Sequence, residues 1–285
     1  MKAFLLLLCG GMLLVAQPKI QVQGHRGARA VMPENTLPAF EYAIRVGADV
    51  IELDLAVTKD NVLVVSHDPL INEKICSGPA GANRTIRQLT LTEVKAWDCG
   101  AKANPEFPRQ KAIPGTRIPT LEEVLNLAPK GKFEFNIETK SDPKRPELQP
   151  EPEEFARMVA DLVRKKGLAS RVIVQSFDWR TIDAMKKIAP EIRVAALHPA
   201  GMSDAVLKMD YIKAMNERGY KIASPHYKFV NKLKVQQARK LGMTVIPWTA
   251  NDTKTWDELI AAGVDGIITD DPEGLIAHLK AKGLR

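Results

Sequence analysis

The chain has 285 residues, 45% of them apolar and 26% charged, with a formal net charge of +7. That length suits one (β/α)8 barrel of about 250 residues, and the composition excludes a disordered chain. No run of ~20 apolar residues follows residue 20, which excludes a membrane span there, and the basic excess is spread out, without the Lys/Arg block of a nucleic-acid-binding stripe.

At the start, Lys2 precedes an apolar run from Ala3 to Ala16, broken by Gly10 and Gly11. One positive residue, a short apolar stretch and a small residue at its end read as a secretory signal peptide over residues 1–16. A buried core element is the competing reading. Cys9 follows Leu8 rather than a small residue, which argues against a lipid attachment. The expected location is periplasmic or secreted, with no transmembrane anchor once the segment is removed. The mature chain, residues 17–285, keeps Cys76 and Cys99. In an oxidising compartment these either staple their irregular region or stay as separate thiols.

Strands are expected at Ile20–Gln23, Ala48–Val57, Lys132–Thr139, Arg171–Gln175, Ile192–Leu197, Lys221–Ala223, Thr244–Trp248 and Asp265–Ile268, with a short extra strand at Val62–Ser66. Helices are expected at Leu37–Val46, Leu121–Leu127, Glu153–Lys166, Trp179–Ile188, Asp204–Glu217, Lys232–Leu241, Thr253–Ala261 and Glu273–Lys280. Phe155, Met158, Val159, Leu162 and Val163 share one face at helical spacing. Gly47, Gly167, Gly219, Gly242 and Gly263 follow periodic runs as helix stops do. Asp271 and Pro272 supply an N-cap and a first-turn proline. Eight alternations of strand and helix predict a parallel sheet closed into an α/β (β/α)8 TIM barrel.

Two segments break the rhythm. Residues 69–119 read as an insertion after the second strand, with one helix near Leu91–Trp97 opened by Thr90 or Thr92. Residues 141–152, with four prolines, read as an extended exposed loop. Both follow strands and so belong to the C-terminal rim, where barrel active sites sit.

Four short motifs end or follow strands: His25-Arg26-Gly27, Glu52-Leu53-Asp54, His67-Asp68 and Glu138-Thr139-Lys140. Alternate side chains of a strand share a face. Ile51, Leu53 and Leu55 suit the helix-facing side, so Glu52 and Asp54 face inward. Like charges this close are costly unless a proton or cation lies between them. With Glu138 they form a hard oxygen set suited to Mg2+ or Ca2+ rather than Zn2+. The alternative is an internal salt network with Arg26 and Lys140. His25 and His67, on the same rim, read as general base and general acid. Arg26 and Lys140 would hold an anion, and phosphate and carboxylate fit nearly equally by charge. Residue chemistry alone stops at metal-assisted handling of an anionic ester.

The motifs His25-Arg26-Gly27, Pro33-Glu34-Asn35-Thr36, residues 47–54 and His67-Asp68-Pro69 strongly resemble the glycerophosphodiester phosphodiesterase family. Further matching blocks lie at residues 118–124, 138–140, 175–177, 247–251 and 266–270, so the resemblance runs from about Gly24 to Pro272. It implies a (β/α)8 barrel with an insertion after the second strand. It also implies a divalent metal on Glu52, Asp54 and Glu138, and His25 and His67 as base and acid in cleaving a diester to an alcohol and sn-glycerol 3-phosphate. His67 is expected to protonate the leaving alcohol and His25 to activate water or the substrate's own hydroxyl. Arg26 and Lys140 are similar to the family's phosphate contacts, and Trp248 stands where an aromatic meets the glycerol, with core packing as its other role. Glu34 and Asn35 shape the first loop or reach the substrate. Ala250 and Thr139 depart from the commoner valine and isoleucine. His198 and His226 follow strands and read as surface-loop residues, with a head-group contact as the alternative.

Two other functions compete. A lysophospholipase D or sphingomyelinase-D-like enzyme would show an apolar trough around residues 69–119. An inactive phosphate- or glycerol-binding barrel would lack a histidine or a metal carboxylate, and here all are present. The expected partner is a small glycerophosphodiester and not nucleic acid. The oligomeric state and the choice between Mg2+ and Ca2+ leave no mark in the sequence.

Overall fold

The computed structural model describes residues 19–198 and 210–285. The signal-peptide segment and residues 204–209 of the expected Asp204–Glu217 helix lie outside them.

Eight strands run parallel in the order β8-β7-β6-β5-β4-β2-β1-β9. They are β1 (Gln21–Gly24), β2 (Val50–Val57), β4 (Glu134–Thr139), β5 (Val172–Ser176), β6 (Arg193–His198), β7 (Ile222–Pro225), β8 (Thr244–Val245) and β9 (Gly266–Thr269). The ring closes between β8 and β9 by backbone hydrogen bonds. Asp265 N–H donates to Val245 O (3.0 Å) and Ile268 N–H to Pro247 O (2.9 Å). The expected strand Thr244–Trp248 ends early because Pro247 has no N–H for the ladder. The chain stays extended past it, and Trp248 N–H reaches Pro225 O (3.1 Å).

Helices follow the strands and cover the outside. The first, Leu37–Val46, is opened by Thr36, whose hydroxyl accepts from Ala39 N–H, and closed by Gly47 at φ 91°, which only glycine adopts freely. The helix Pro152–Lys165 starts one residue before its expected place, since Pro152 fits the first turn. The helix Leu121–Leu125 is two residues shorter than expected, and within the fifth expected helix the residues Tyr211–Glu217 are helical, capped by Asp210. Ile51, Leu53, Leu55, Phe135 and Ile137 face these helices and are fully buried. Each contributes about 1.5–3 kcal/mol by leaving water.

The insertion is built on a hairpin. Strand β2 runs on past the barrel rim and pairs antiparallel with β3 (Leu63–Val65), with Leu55 opposite Val65. The chain therefore returns to the rim, where Ser66 N–H donates to Asp54 O (3.0 Å). Residues beyond it enclose a second core that includes Ile71, Ile86, Val94, Trp97 and Ile118. The helix Leu91–Lys95 begins at Thr90 with a capping box to Glu93. Cys76 and Cys99 are bonded as a disulfide within this second core. No helix among the described residues is long and apolar enough to cross a membrane.

Candidate active site

Strand register brings the carboxylates together. Asp54 on β2 stands opposite Glu138 on β4, and Glu52 stands opposite Asn136 one step lower. Glu52, Asp54 and Glu138 are all buried, and one carboxylate oxygen from each lies within 4.8 Å of the others. Oxygens bound to one Mg2+ or Ca2+ at about 2.0–2.6 Å span up to roughly that distance.

The first βα loop wraps over them. Arg26 and Asn35 both sit in the left-handed region, at φ 50° and 57°. Such strain in non-glycine residues is retained where surrounding contacts enforce it. Here the turn aims the Arg26 backbone N–H at Glu52 Oε2 (2.8 Å). Asn35 donates from Nδ2 to Asp54 Oδ2 (2.9 Å). Gly27, at φ 87°, lies so close to Ala39 that a Cβ would meet that backbone at 2.7 Å.

Beneath the carboxylates lies a layer of amides that sequence reasoning missed. Asn136 Nδ2 donates to Gln23 Oε1 (2.8 Å) and Gln175 Oε1 (2.9 Å), and Gln175 Nε2 donates to Glu52 Oε1 (3.0 Å). The available signal was a polar residue at the inward parity of each strand, with Asn136 two before Glu138.

The alternative salt network forms in part. Lys140 Nζ lies 2.7 Å from Glu138 Oε1 and 3.6 Å from Asp54 Oδ1, and Arg26 Nε lies 3.4 Å from Asp54 Oδ2. Arg26 also spends charge on Glu34 at 2.6 Å. Three carboxylates thus share two cations, one of them divided. Burial, then the neighbouring charges of Asp54 and Glu138, push the Glu52 carboxyl well above the usual range. Burial works the same way on Asp54, but the charges of His67, Lys140 and Arg26 override it and hold that carboxyl well below. Asp54 Oδ1 is buried without a hydrogen-bond partner. An excess of buried negative charge, an orphaned oxygen and a hard donor set fit a divalent cation.

Both imidazoles line the cavity of about 220 Å3 above the cluster, with Arg26, Lys140, Trp248 and Phe177. His25 Nδ1 is bound by Asp270 Oδ1 (2.5 Å) and His67 Nδ1 by Asp68 Oδ1 (2.8 Å). Each ring keeps Nε2 for other work. Burial lowers the His25 pKa below its ordinary 6.5, outweighing the Asp270 charge.

The remaining expected residues divide. Trp248 lines the cavity, its indole N–H donating to Ser224 O (3.0 Å) and its ring edge-to-face with Phe177. Glu34 does not line it. Its two oxygens hold Arg26 and Arg29, at 2.6 and 2.5 Å, so it shapes the first loop. Arg29 was missed and does line the cavity. His198 is not a surface-loop residue: it is 2% exposed, packed against Tyr211 and Phe229. Half-buried His226 stacks on Tyr227 and lies edge-on to Trp248. Much of the insertion's apolar surface packs in its own core, and Ile71, Ile75 and Ile118 also line a small cavity of about 40 Å3 beside His67 and Asp68.

Comparison with known proteins agrees with this geometry. The model of the glycerophosphoryl diester phosphodiesterase family matches residues 25–274. A glycerophosphodiester phosphodiesterase of Caldanaerobacter subterraneus is 35% identical over 93% of this chain and 99% of its own. A structure from Silicibacter pomeroyi, provisionally named glycerophosphoryl diester phosphodiesterase, superposes with a TM-score of 0.87 at 30% identity, covering 93% of this chain and 95% of that one. A phosphodiesterase of Oleispira antarctica, solved with its product sn-glycerol-3-phosphate, shares the fold at a TM-score of 0.74 and 21% identity, covering 92% and 97%.

Proposed function

Because this chain belongs to the glycerophosphoryl diester phosphodiesterase family and is a phosphoric diester hydrolase, we propose that it cleaves glycerophosphodiesters to an alcohol and sn-glycerol 3-phosphate with a divalent cation on Glu52, Asp54 and Glu138. The carrying observation is that two carboxylate-backed imidazoles and three cationic side chains, Arg26, Arg29 and Lys140, line one cavity over a buried acidic cluster. A bound Mg2+ or Ca2+ supplies positive charge to the phosphate oxygens as charge builds there.

Arg26 and Lys140 hold the phosphodiester anion over the cluster. His25, kept neutral by burial, accepts the proton of the attacking water or glycerol hydroxyl as its oxygen bonds to phosphorus. His67 gives a proton to the alkoxide oxygen as the phosphorus–oxygen bond breaks, and the alcohol leaves neutral. Where the glycerol hydroxyl attacks, water opens the cyclic ester in a second step with the two roles reversed. Trp248, its indole N–H already engaged, offers its ring to the glycerol carbons. The complex of the Oleispira enzyme with sn-glycerol-3-phosphate supports that product.

The reading of residues 1–16 as a signal peptide supports export to the periplasm or beyond. The Cys76–Cys99 disulfide is of the kind that persists in oxidising compartments.

The deciding assay follows glycerol 3-phosphate release from a panel of glycerophosphodiesters, with and without chelator. Metal-dependent release that is lost in His67→Ala and Glu52→Gln is expected. No release from any member, or full activity in His67→Ala, would overturn the proposal.

A further inference from the structure

Arg26 and Arg29 share one carboxylate. Glu34 Oε1 lies 2.6 Å from Arg26 Nη1, and its Oε2 lies 2.5 Å from Arg29 Nε. One negative charge is thus divided between two guanidiniums, and both line the cavity above the acidic cluster. Arg26 is also drawn on by Asp54, at 3.4 Å from its Nε. Arg29 has no such second buried partner among the described residues. Its Nε makes its one side-chain hydrogen bond there, and both Nη groups keep accessible surface. Glu106 Oε2 lies 3.9 Å from Nη2, but that side chain is 75% exposed, so water screens it.

The guanidinium is fixed in place. It lies over the Phe107 ring, 4.6 Å from the centroid. The Arg29 carbonyl accepts from Gln110 Nε2 (2.7 Å), and Lys111 N–H donates to Val31 O (3.1 Å). Arg109 pairs with Asp271 beyond β9. Residues 107–111 of the insertion therefore strap the first βα loop and hold Arg29 against it. Holding the loop uses Nε, the ring face and the carbonyl, and it leaves both Nη groups without a task. Donors immobilised before a ligand arrives lose little entropy on binding it.

Counting oxygens shows what they meet. Arg29 follows β1 and Lys140 follows β4, and β2 with its carboxylates runs between those strands. A phosphate over β2 therefore has Lys140 on one side and the arginines on the other. A phosphodiester presents two unesterified oxygens and one negative charge, for which the divalent cation, Lys140 and Arg26 suffice. A phosphomonoester presents three such oxygens and most of a second charge at neutral pH. The Arg29 donors are free for the third oxygen.

We propose that Arg29 binds the terminal phosphate oxygen that hydrolysis adds, and so strengthens the hold on the phosphomonoester product relative to the diester. This rests on the diester reaction proposed above. The test is steady-state kinetics of the full chain with Mg2+ or Ca2+ present, reading Ki for sn-glycerol 3-phosphate and KM for glycerophosphocholine, with calorimetric binding of the product alongside. Arg29→Met keeps the apolar stem on Phe107 and removes the donors. Its Ki and calorimetric Kd for the product rise about tenfold or more, as loss of a charge-assisted hydrogen bond implies, while KM moves by less than about threefold. Arg29→Lys keeps the charge and falls between. An arginine that only braces the loop would weaken both ligands together or neither. Product affinity unmoved in Arg29→Met, or product and diester weakened equally, would overturn the assignment. If a thermal melt shows that Arg29→Met does not fold, Arg29→Lys decides, with a raised ratio of Ki to KM supporting the assignment and an unchanged ratio ending it. If no diester is turned over, the reaction reading fails by itself. Calorimetry of sn-glycerol 3-phosphate against glycerophosphocholine then decides Arg29 by the same ratio.

Discussion

His25 Nδ1 lies 2.5 Å from Asp270 Oδ1, which joins the end of β1 to the end of β9 across 245 positions of sequence. Asn251 holds the other oxygen, with Nδ2 at 2.6 Å from Oδ2, and Asp270 is buried. Burial tends to raise the Asp270 carboxyl, but the His25 charge and hydrogen bond hold it below the usual range. A carboxylate there accepts from Nδ1–H and leaves Nε2 able to take a proton. Asp270→Asn keeps the shape but offers an amide donor that favours the opposite tautomer. We expect kcat to fall about 10²- to 10⁴-fold with KM nearly unchanged. Steady-state kinetics checks this, and a loss below about threefold would remove Asp270 as a positioning residue.

The acidic cluster predicts how the protein responds to cations. Three buried carboxylates sharing Lys140 and part of Arg26 are relieved by a divalent ion, so binding stabilises the fold. Saturating Mg2+ or Ca2+ is expected to raise the melting temperature, by the equivalent of about 2–3 kcal/mol at a hundredfold excess over Kd. Asp54→Asn and Glu138→Gln should each abolish most of that rise and cut kcat at least about a hundredfold. Thermal melts with the two cations and with chelator measure it. An unaltered melt on adding either cation would speak against a metal at this cluster.

How much of this was legible in sequence depends on range. Glu52 and Asp54 share parity on one strand, so their common inward face followed from pleat geometry, and Ile51, Leu53 and Leu55 are buried on the opposite side as expected. The His67 return to the rim needed the antiparallel pairing of β2 with β3, of which only the short extra strand was visible. The expected barrel closure already sets the last strand against the first, but the side-chain contact that makes Asp270 the partner of His25 leaves no mark in the sequence. Strand β8 is shorter than expected because its β-branched run Thr244-Val245-Ile246 leads into Pro247, which has no N–H for the ladder.

The insertion depends on its cross-link. Cys76 and Cys99 are 23 residues apart and belong to a small second core attached to the barrel through β3 and Thr120. Closing a loop of that length is worth about 3 kcal/mol in the chain-entropy description. The double variant Cys76→Ala, Cys99→Ala should unfold at lower denaturant by about 2–4 kcal/mol. It should also expose residues 69–119 to proteolysis before the barrel. Since Asp68 and His67 enter that segment, kcat should drop as well. Cleavage sites confined to the barrel helices would contradict this division.

At the opposite end of the barrel, Asp49 ties the segment leading into β1 to Arg285 without touching the site. Its oxygens accept from Val22 N–H (2.8 Å), Arg285 Nη1 (2.6 Å) and Lys19 Nζ (2.6 Å). Burial opposes its ionisation, yet the Arg285 and Lys19 hydrogen bonds hold its carboxyl below 3.8. A carboxyl lowered on folding contributes stability that is fully present above its unfolded pKa and is lost as pH falls through the folded value. Asp49→Asn should therefore cost about 1–3 kcal/mol at neutral pH. That deficit should shrink as pH falls below 3.8, because protonation removes the same interactions from the unaltered protein. Urea unfolding of both proteins across acid and neutral pH measures the gap, with kcat/KM expected to be equal in the two at neutral pH. A gap that stays constant through the acid range would mean that the Asp49 charge does not carry the stabilisation.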